Sequence, residues 1–375
     1  LISPHDCNVV FHGSNKLLRS PNMGESWEVI SDDLTKADPA TLPTGKGGDG
    51  NIQYATITTI SESTLQEGLI WVGTDDGNVQ VTRDGGATWT LVNANVPNNP
   101  EYWVSRVEAG HHDPGTAYIS YTGMRRDDFR AFVYKTTDFG ETWTDISANL
   151  PEEPVNVIRE HHQNPNLLFL GTDFAVYVSV DGGQSWTLMK NNMPTNPAYD
   201  IKIHPRENDL IVATHGRGIY IADISPLAEV NLETLGQEAF FFQPESKVRW
   251  IGADLVNVAS DNFNGESEPL AIPFYYWLQS DAAGDVTFTV YQGNMEIATV
   301  TGPSAAGMHM VAWGMNKMPQ GQPPAAAQGA ARFQGRGARG QPAPIGEYTV
   351  VMSVDGQEMS RTVSILKDEW WMTRR

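Results

Sequence analysis

Three carboxylates stand out as chemistry-capable: Asp75 and Asp76 before Gly77, and Asp173 in a second turn-like segment. Glycoside hydrolysis needs two carboxyl groups about 5 to 10 Å apart at the sugar, and these are the most economical candidates for such a pair. The competing reading is that all three are turn residues, since Asp accepts backbone N–H bonds in tight turns. Arg106, Arg125, Arg126 and Arg217 could hold an anionic group through their guanidinium forks, but nothing in their spacing marks them as a triad. Arg217 lies in His215-Gly216-Arg217-Gly218, where flanking glycines permit close approach of a ligand or merely a tight inter-strand turn.

His111-His112-Asp113 and His161-His162 contain metal-ligand side chains. Neighbouring side chains on a strand point to opposite faces, so neither pair chelates by itself and no metal is expected. Nucleophile elbow, phosphate loop, dinucleotide fingerprint and paired Cys-x-x-Cys are all missing from the sequence, and no cofactor is expected. The one cysteine, Cys7, has no nucleophile signature and is expected as a small buried hydrophobe.

The elements that must position these residues are set by a repeat. Ser20 to Trp27, Thr82 to Trp89, Thr136 to Trp143 and Ser179 to Trp186 share one pattern: hydroxyl, any, Asp or Asn, any, Gly, any, Ser or Thr, Trp. Its acidic or amide positions, Asn22, Asp84, Asp138 and Asp181, are 62, 54 and 43 residues apart, which suits one four-stranded blade per repeat. The Asx side chain can bond N–H groups across the turn, Gly supplies positive φ, and Trp27, Trp89, Trp143 and Trp186 pack between sheets. These residues are therefore assigned a structural role.

Four such boxes resemble the Asp-box (BNR) propellers, which include sialidases, xyloglucanases and the luminal domain of sortilin. Residues 103–107, 155–160, 204–210 and 214–220 extend the likeness to exported bacterial proteins described as sortilin-like or glycosyl-hydrolase-like. The resemblance implies a secreted, periplasmic or cell-surface protein and a chain that is the C-terminal part of something longer. A fifth unit over residues 199–222 has strand patterning but no box, giving about five blades. The ring is expected to be completed by upstream blades or a partner chain, because open sheet edges are hazards.

Within a blade, the turn between the second and third strands emerges opposite the box turn. That face is expected to display Asn15, Asp75, Asp76, Asn78, Asp173, His215 and Arg217, joined by the polar insertion 124–130. In sialidase-type propellers the ligand lies on this side. The fold expected is thus all-β: a partial, about five-blade propeller over 1–235, then an immunoglobulin-like β-sandwich over 236–375. The second part contains a Gly/Ala/Pro/Gln-rich segment, 319–344, expected to be disordered.

With 45 acidic and 25 basic residues the net charge is -20, which repels a phosphate backbone, and no run approaches a membrane span. The expected partner is a glycan or peptide. The alternatives are a glycoside hydrolase, and a structural subunit of an extracellular complex.

Overall fold

The computed structural model describes residues 1–37, 55–190, 193–250, 270–317 and 341–369. The Gly/Ala/Pro/Gln-rich segment lies, up to residue 340, outside the described residues. The chain divides into two compact units, Leu1–Asn231 and Leu232–Arg375.

The first unit is a series of five small antiparallel sheets in chain order, each a propeller blade. Blade 1 holds β1 (Val10–Gly13), β2 (Leu17–Ser20) and β3 (Glu28–Val29). Leu1 to Ser3 pair against β1, with Ile2 opposite Val10, in the place of an innermost strand. Blade 2 is β4 (Ile57–Glu62), β5 (Ile70–Thr74), β6 (Val79–Thr82) and β7 (Thr90–Leu91). Blade 3 is β8 (Trp103–Ala109), β9 (Ala117–Gly123), β10 (Asp128–Thr136) and β11 (Thr144–Asp145). Blade 4 is β12 (Val155–Glu160), β13 (Leu168–Thr172), β14 (Val176–Ser179) and β15 (Thr187–Met189). Blade 5 is β16 (Ala198–Ile203), β17 (Asp209–Thr214) and β18 (Ile219–Asp223).

Alternation of side chains explains how the blades stack. On β5, Ile70 and Val72 join a core shared with Phe11 and Leu17 of blade 1, while Trp71 joins one shared with Val104 and Tyr121 of blade 3. On β13, Leu168 and Leu170 pack toward Tyr118 and Val133 of blade 3, and Phe169 packs toward Ile201 and Val212 of blade 5. The middle strands β5 and β13 are buried on both faces and so read as continuous apolar runs.

Glycine lets neighbouring blades close in. A Cβ on Gly73 would sit 2.8 Å from Val104 Cβ, and one on Gly171 would sit 2.7 Å from the Ala198 carbonyl oxygen. Gly13 stands likewise against Ile57.

The second unit opens with a short helix, α1 (Leu232–Leu235), followed by two sheets around one core. One sheet orders β19 (Ala239–Phe241), β21 (Ile272–Leu278) and β24 (Gly307–Trp313). The other orders β20 (Lys247–Arg249), β26 (Gln357–Lys367), β25 (Gly346–Val354), β22 (Val286–Gln292) and β23 (Met295–Gly302), with β20 parallel to β26. Strict alternation on β21, β22 and β25 sends Phe274, Tyr276, Phe288, Tyr348 and Val350 inward.

Candidate functional site

The box turns use their side chains locally. Asp84 accepts the Thr88 N–H at 2.9 Å and the Thr88 hydroxyl at 2.6 Å, while the Thr82 hydroxyl donates to Asp84 at 2.8 Å and accepts the Gly86 N–H at 2.9 Å. Asp138 and Asp181 repeat these contacts, and Asn22 accepts the Ser26 N–H at 2.9 Å. The Thr88 and Thr82 bonds draw the Asp84 carboxyl down to about 2.

At the opposite end of the blades, the starts of first strands meet the turns between second and third strands. Asn156 donates to Asp173 at 2.9 Å, the Tyr199 and His215 rings lie 5.4 Å apart, and the Arg125 guanidinium stacks 3.8 Å over Trp103. Phe129, Phe174 and Tyr199 are exposed at this end, as are Arg126 and Arg217. Arg126 lies 5.6 Å over Tyr102. Asn15 is also exposed and donates to Asp33 at 2.7 Å.

Asp75, Asp76 and Asn78 are buried instead of displayed. Asp75 accepts the Thr56 N–H at 2.8 Å, Asp76 accepts the Lys36 N–H at 2.7 Å and the Thr74 hydroxyl, and Asn78 donates to the Leu34 carbonyl at 3.0 Å. Backbone groups arriving from blade 1 and from the start of β4 need partners, and these side chains supply them. Burial, reinforced by Asp76, raises the Asp75 carboxyl above its ordinary range against the Thr56 hydrogen bond. Cys7 is exposed, contrary to the expectation of burial, because it lies in the turn leading into β1.

Arg106 enters a network that single residues did not announce. On β12, Arg159 pairs with Glu108 of β8, donates to Asp200 of β16 at 3.0 Å and to the Ile201 carbonyl at 2.7 Å. Arg106 donates to the same Asp200 oxygen at 2.9 Å, and His111 lies 3.6 Å from Glu108. Glu160 accepts the Tyr118 hydroxyl at 2.8 Å and the His111 N–H. Burial opposes ionisation of Glu108, but Arg159 and His111 outweigh it and hold the carboxyl below its ordinary range. Charged residues at matching places in successive first strands, Glu108, Arg159 and Lys202, with Arg106 two residues before Glu108, were the available signal.

A cleft of about 440 Å³ lies on the outer half of blade 3, lined by Tyr102, Arg130, Phe132, Tyr134, Asp145 and Glu152. Its size falls in the range of small-ligand sites. Burial and Asp145 push the Tyr134 hydroxyl up to about 12.

Among the described residues, no group of three or more His, Cys, Asp or Glu could hold a metal ion. His112 bonds the His161 carbonyl oxygen at 2.8 Å, and the His161 and His162 rings stack at 4.6 Å. Burial, with His162 next, lowers His161 to about 4. Among the described residues, no helix is long and apolar enough to cross a membrane.

Residues 131–225, from β10 through blade 5, match the Sortilin-Vps10 family model, described as sortilin, neurotensin receptor 3. Among curated proteins, none matches the chain. Similar solved structures include the GH74 xyloglucanase from Xanthomonas campestris, at 9% identity over 83% of this chain and 44% of that one, with a TM-score of 0.45. The Niastella koreensis GH74 enzyme aligns at 17% identity over 96% of this chain and 55% of that one, with a TM-score of 0.43. YCF48 from Cyanidioschyzon merolae aligns at 14% identity over 57% of this chain and 65% of that one, with a TM-score of 0.41. The chain spans less than two thirds of each of these structures.

Proposed function

We propose that the chain is a ligand-binding propeller segment that takes a glycan across the face opposite the boxes. The observation that carries this reading is the exposure of Phe129, Phe174 and Tyr199 together with the stacked Trp103–Arg125 pair, all on turns or strand starts at the same end of blades 3 to 5. Flat rings next to convergent polar groups are the usual composition of a site that orients a partly apolar ligand such as a sugar ring. The excess of acidic side chains across the whole chain favours a neutral glycan over an anionic one.

Binding without hydrolysis fits the carboxylates better than turnover does. Asp75 and Asp76 are closed off by backbone donors, and Asp173 is held by Asn156. Export and membership of a larger assembly belong to the same reading and rest on the box repeat and the open blades. In the second unit, the order β19-β21-β24 against β20-β26-β25-β22-β23 supports the immunoglobulin-like reading of that module.

The test is titration against a panel of soluble neutral and uronic-acid polysaccharides, with Tyr199→Ala and the Asp75→Asn, Asp76→Asn and Asp173→Asn variants beside the parent. The reading predicts binding by the parent, at least tenfold weakened by Tyr199→Ala, with no release of reducing ends. Turnover abolished by Asp173→Asn would establish a hydrolase instead, and capture of peptides with no polysaccharide bound would sink the glycan.

A further inference from the structure

The four boxes differ in what they touch. In blades 2, 3 and 4 the box Trp and the Gly three residues before it lie against the preceding blade, at an aliphatic residue three positions after that blade's own box Trp. Trp89 donates its indole N–H to the Ile30 carbonyl at 3.1 Å, and a Cβ on Gly86 would lie 3.1 Å from Ile30 Cβ. Trp186 donates to the Ile146 carbonyl at 2.7 Å, and a Cβ on Gly183 would lie 3.1 Å from Ile146 Cβ. A Cβ on Gly140 would lie 2.9 Å from Val92 Cβ, and Trp143 shares the core that holds Val92. Three residues further on, Asn95 and Asn149 donate their amides to the Gly140 and Trp186 carbonyls at 3.0 and 2.8 Å.

The first box has the same pattern, with Asn22 in the Asx place, and among the described residues it makes none of these contacts. Trp27 is 44% exposed, against 6% for Trp143 and 4% for Trp186. Met23, at the position where Phe139 packs against the core of blades 2 and 3, is 68% exposed. A Cβ on Gly24 would meet only the Trp27 ring, at 3.7 Å. Ile2 and Val29, on strands of this blade, are exposed as well.

We propose that this face of blade 1 docks one further blade of the same repeat class, from outside residues 1–375. Its outermost strand carries an aliphatic residue three positions after a box Trp, and that residue's carbonyl accepts the Trp27 indole N–H. The three internal interfaces define this occupant: each sets the box Gly and Trp against such an aliphatic residue, and in two of them, at Trp89 and Trp186, the indole N–H also bonds its carbonyl. A second copy of the chain cannot supply it. Its Ile30, Val92 and Ile146 are already engaged by the next blade, Met189, three positions after Trp186, packs on the core shared by blades 4 and 5, and blade 5 has neither a box nor a fourth strand among the described residues.

The experiment places a photoreactive p-benzoylphenylalanine at Trp27 in the protein expressed in its native host, and, as a control, at Phe139. Cross-linked peptides are then sequenced by mass spectrometry. The Phe139 control is expected to link within the chain to blade 2. The Trp27 probe is expected to link to a peptide bearing hydroxyl-x-Asx-x-Gly-x-Ser/Thr-Trp followed by an aliphatic residue at the third position. A link to a second copy, a link to a sequence without the box, or no link while the control succeeds overturns the proposal. In the isolated chain, Trp27→Ser is expected to leave the melting temperature within about 2 °C and Trp186→Ser to lower it by about 10 °C. Equal losses would show that the first box is already covered and would likewise overturn it.

Discussion

Replacing Gly73 by alanine should destabilise the propeller unit by driving blades 2 and 3 apart. The new methyl would lie 2.8 Å from Val104 Cβ and 2.9 Å from Thr59 Cγ2, where ordinary carbon contacts are about 3.5 to 4 Å. Val104 is fully buried, and its Cβ is fixed by the backbone of β8, so rotation cannot relieve the overlap. Overpacking of this kind costs about 1 to 3 kcal/mol. Val104→Ala alone removes two buried methyl groups and costs about 2 kcal/mol. In the double variant the loss of Val104 Cγ1, the atom nearest the new methyl, relieves the tightest part of the overlap while Cβ stays, so the combined loss should fall short of the sum by about 1 kcal/mol or more. Urea unfolding followed by tryptophan fluorescence reads all three values. A neutral Gly73→Ala, or losses that simply add, would refute the claim that this glycine sets the spacing between blades.

Arg159→Met should cost about 3 to 5 kcal/mol, because it strands the buried Glu108 charge, and adding Glu108→Gln should recover part of the loss; equal stability of the single and double variants in urea would contradict the network. Glu108 is held below its ordinary range, so its contribution is complete above about 4.5 and disappears as pH falls through its folded value; a melting curve unchanged on acidification below that point would contradict this. His161, lowered to about 4, resists a proton that the unfolded chain takes up near 6.5, so stability should fall as pH drops from about 6.5 toward 4. His161→Gln should flatten that slope, and an unchanged profile would remove His161 as its source. An NMR titration should find Asp84 near 2, moving upward in Thr88→Val; no movement would mean that the hydroxyl bond is not what holds it down.

The parts of this structure that could be read from sequence are those whose partners are close in the chain. A box joins a hydroxyl, an Asx and a Gly within five residues, so its turn is specified locally, as Asp138 with Thr136 and Thr142 shows. The burial of Asp75 and Asp76 depends on Thr56 and on Lys36, 40 residues before Asp76, and no local pattern encodes that closure. Arg159 is likewise separated by 51 residues from Glu108 and by 41 from Asp200. Gly13, Gly73 and Gly171 each precede Ser or Thr at a strand end and were visible in the sequence, but their purpose is contact with the next blade. Cys7 misled because cysteine's general tendency to burial carries less weight than its place in a turn.

The most direct test of the account is hydrogen–deuterium exchange of the chain with and without the tightest-binding polysaccharide of the panel. The account predicts slowed exchange in the turns around 124–130, 173–175 and 215–218 and at the starts of β8 and β16, with the box turns around 84–88, 138–142 and 181–185 unchanged. Protection confined to the box turns, or to the second unit alone, would contradict the assignment of the binding face.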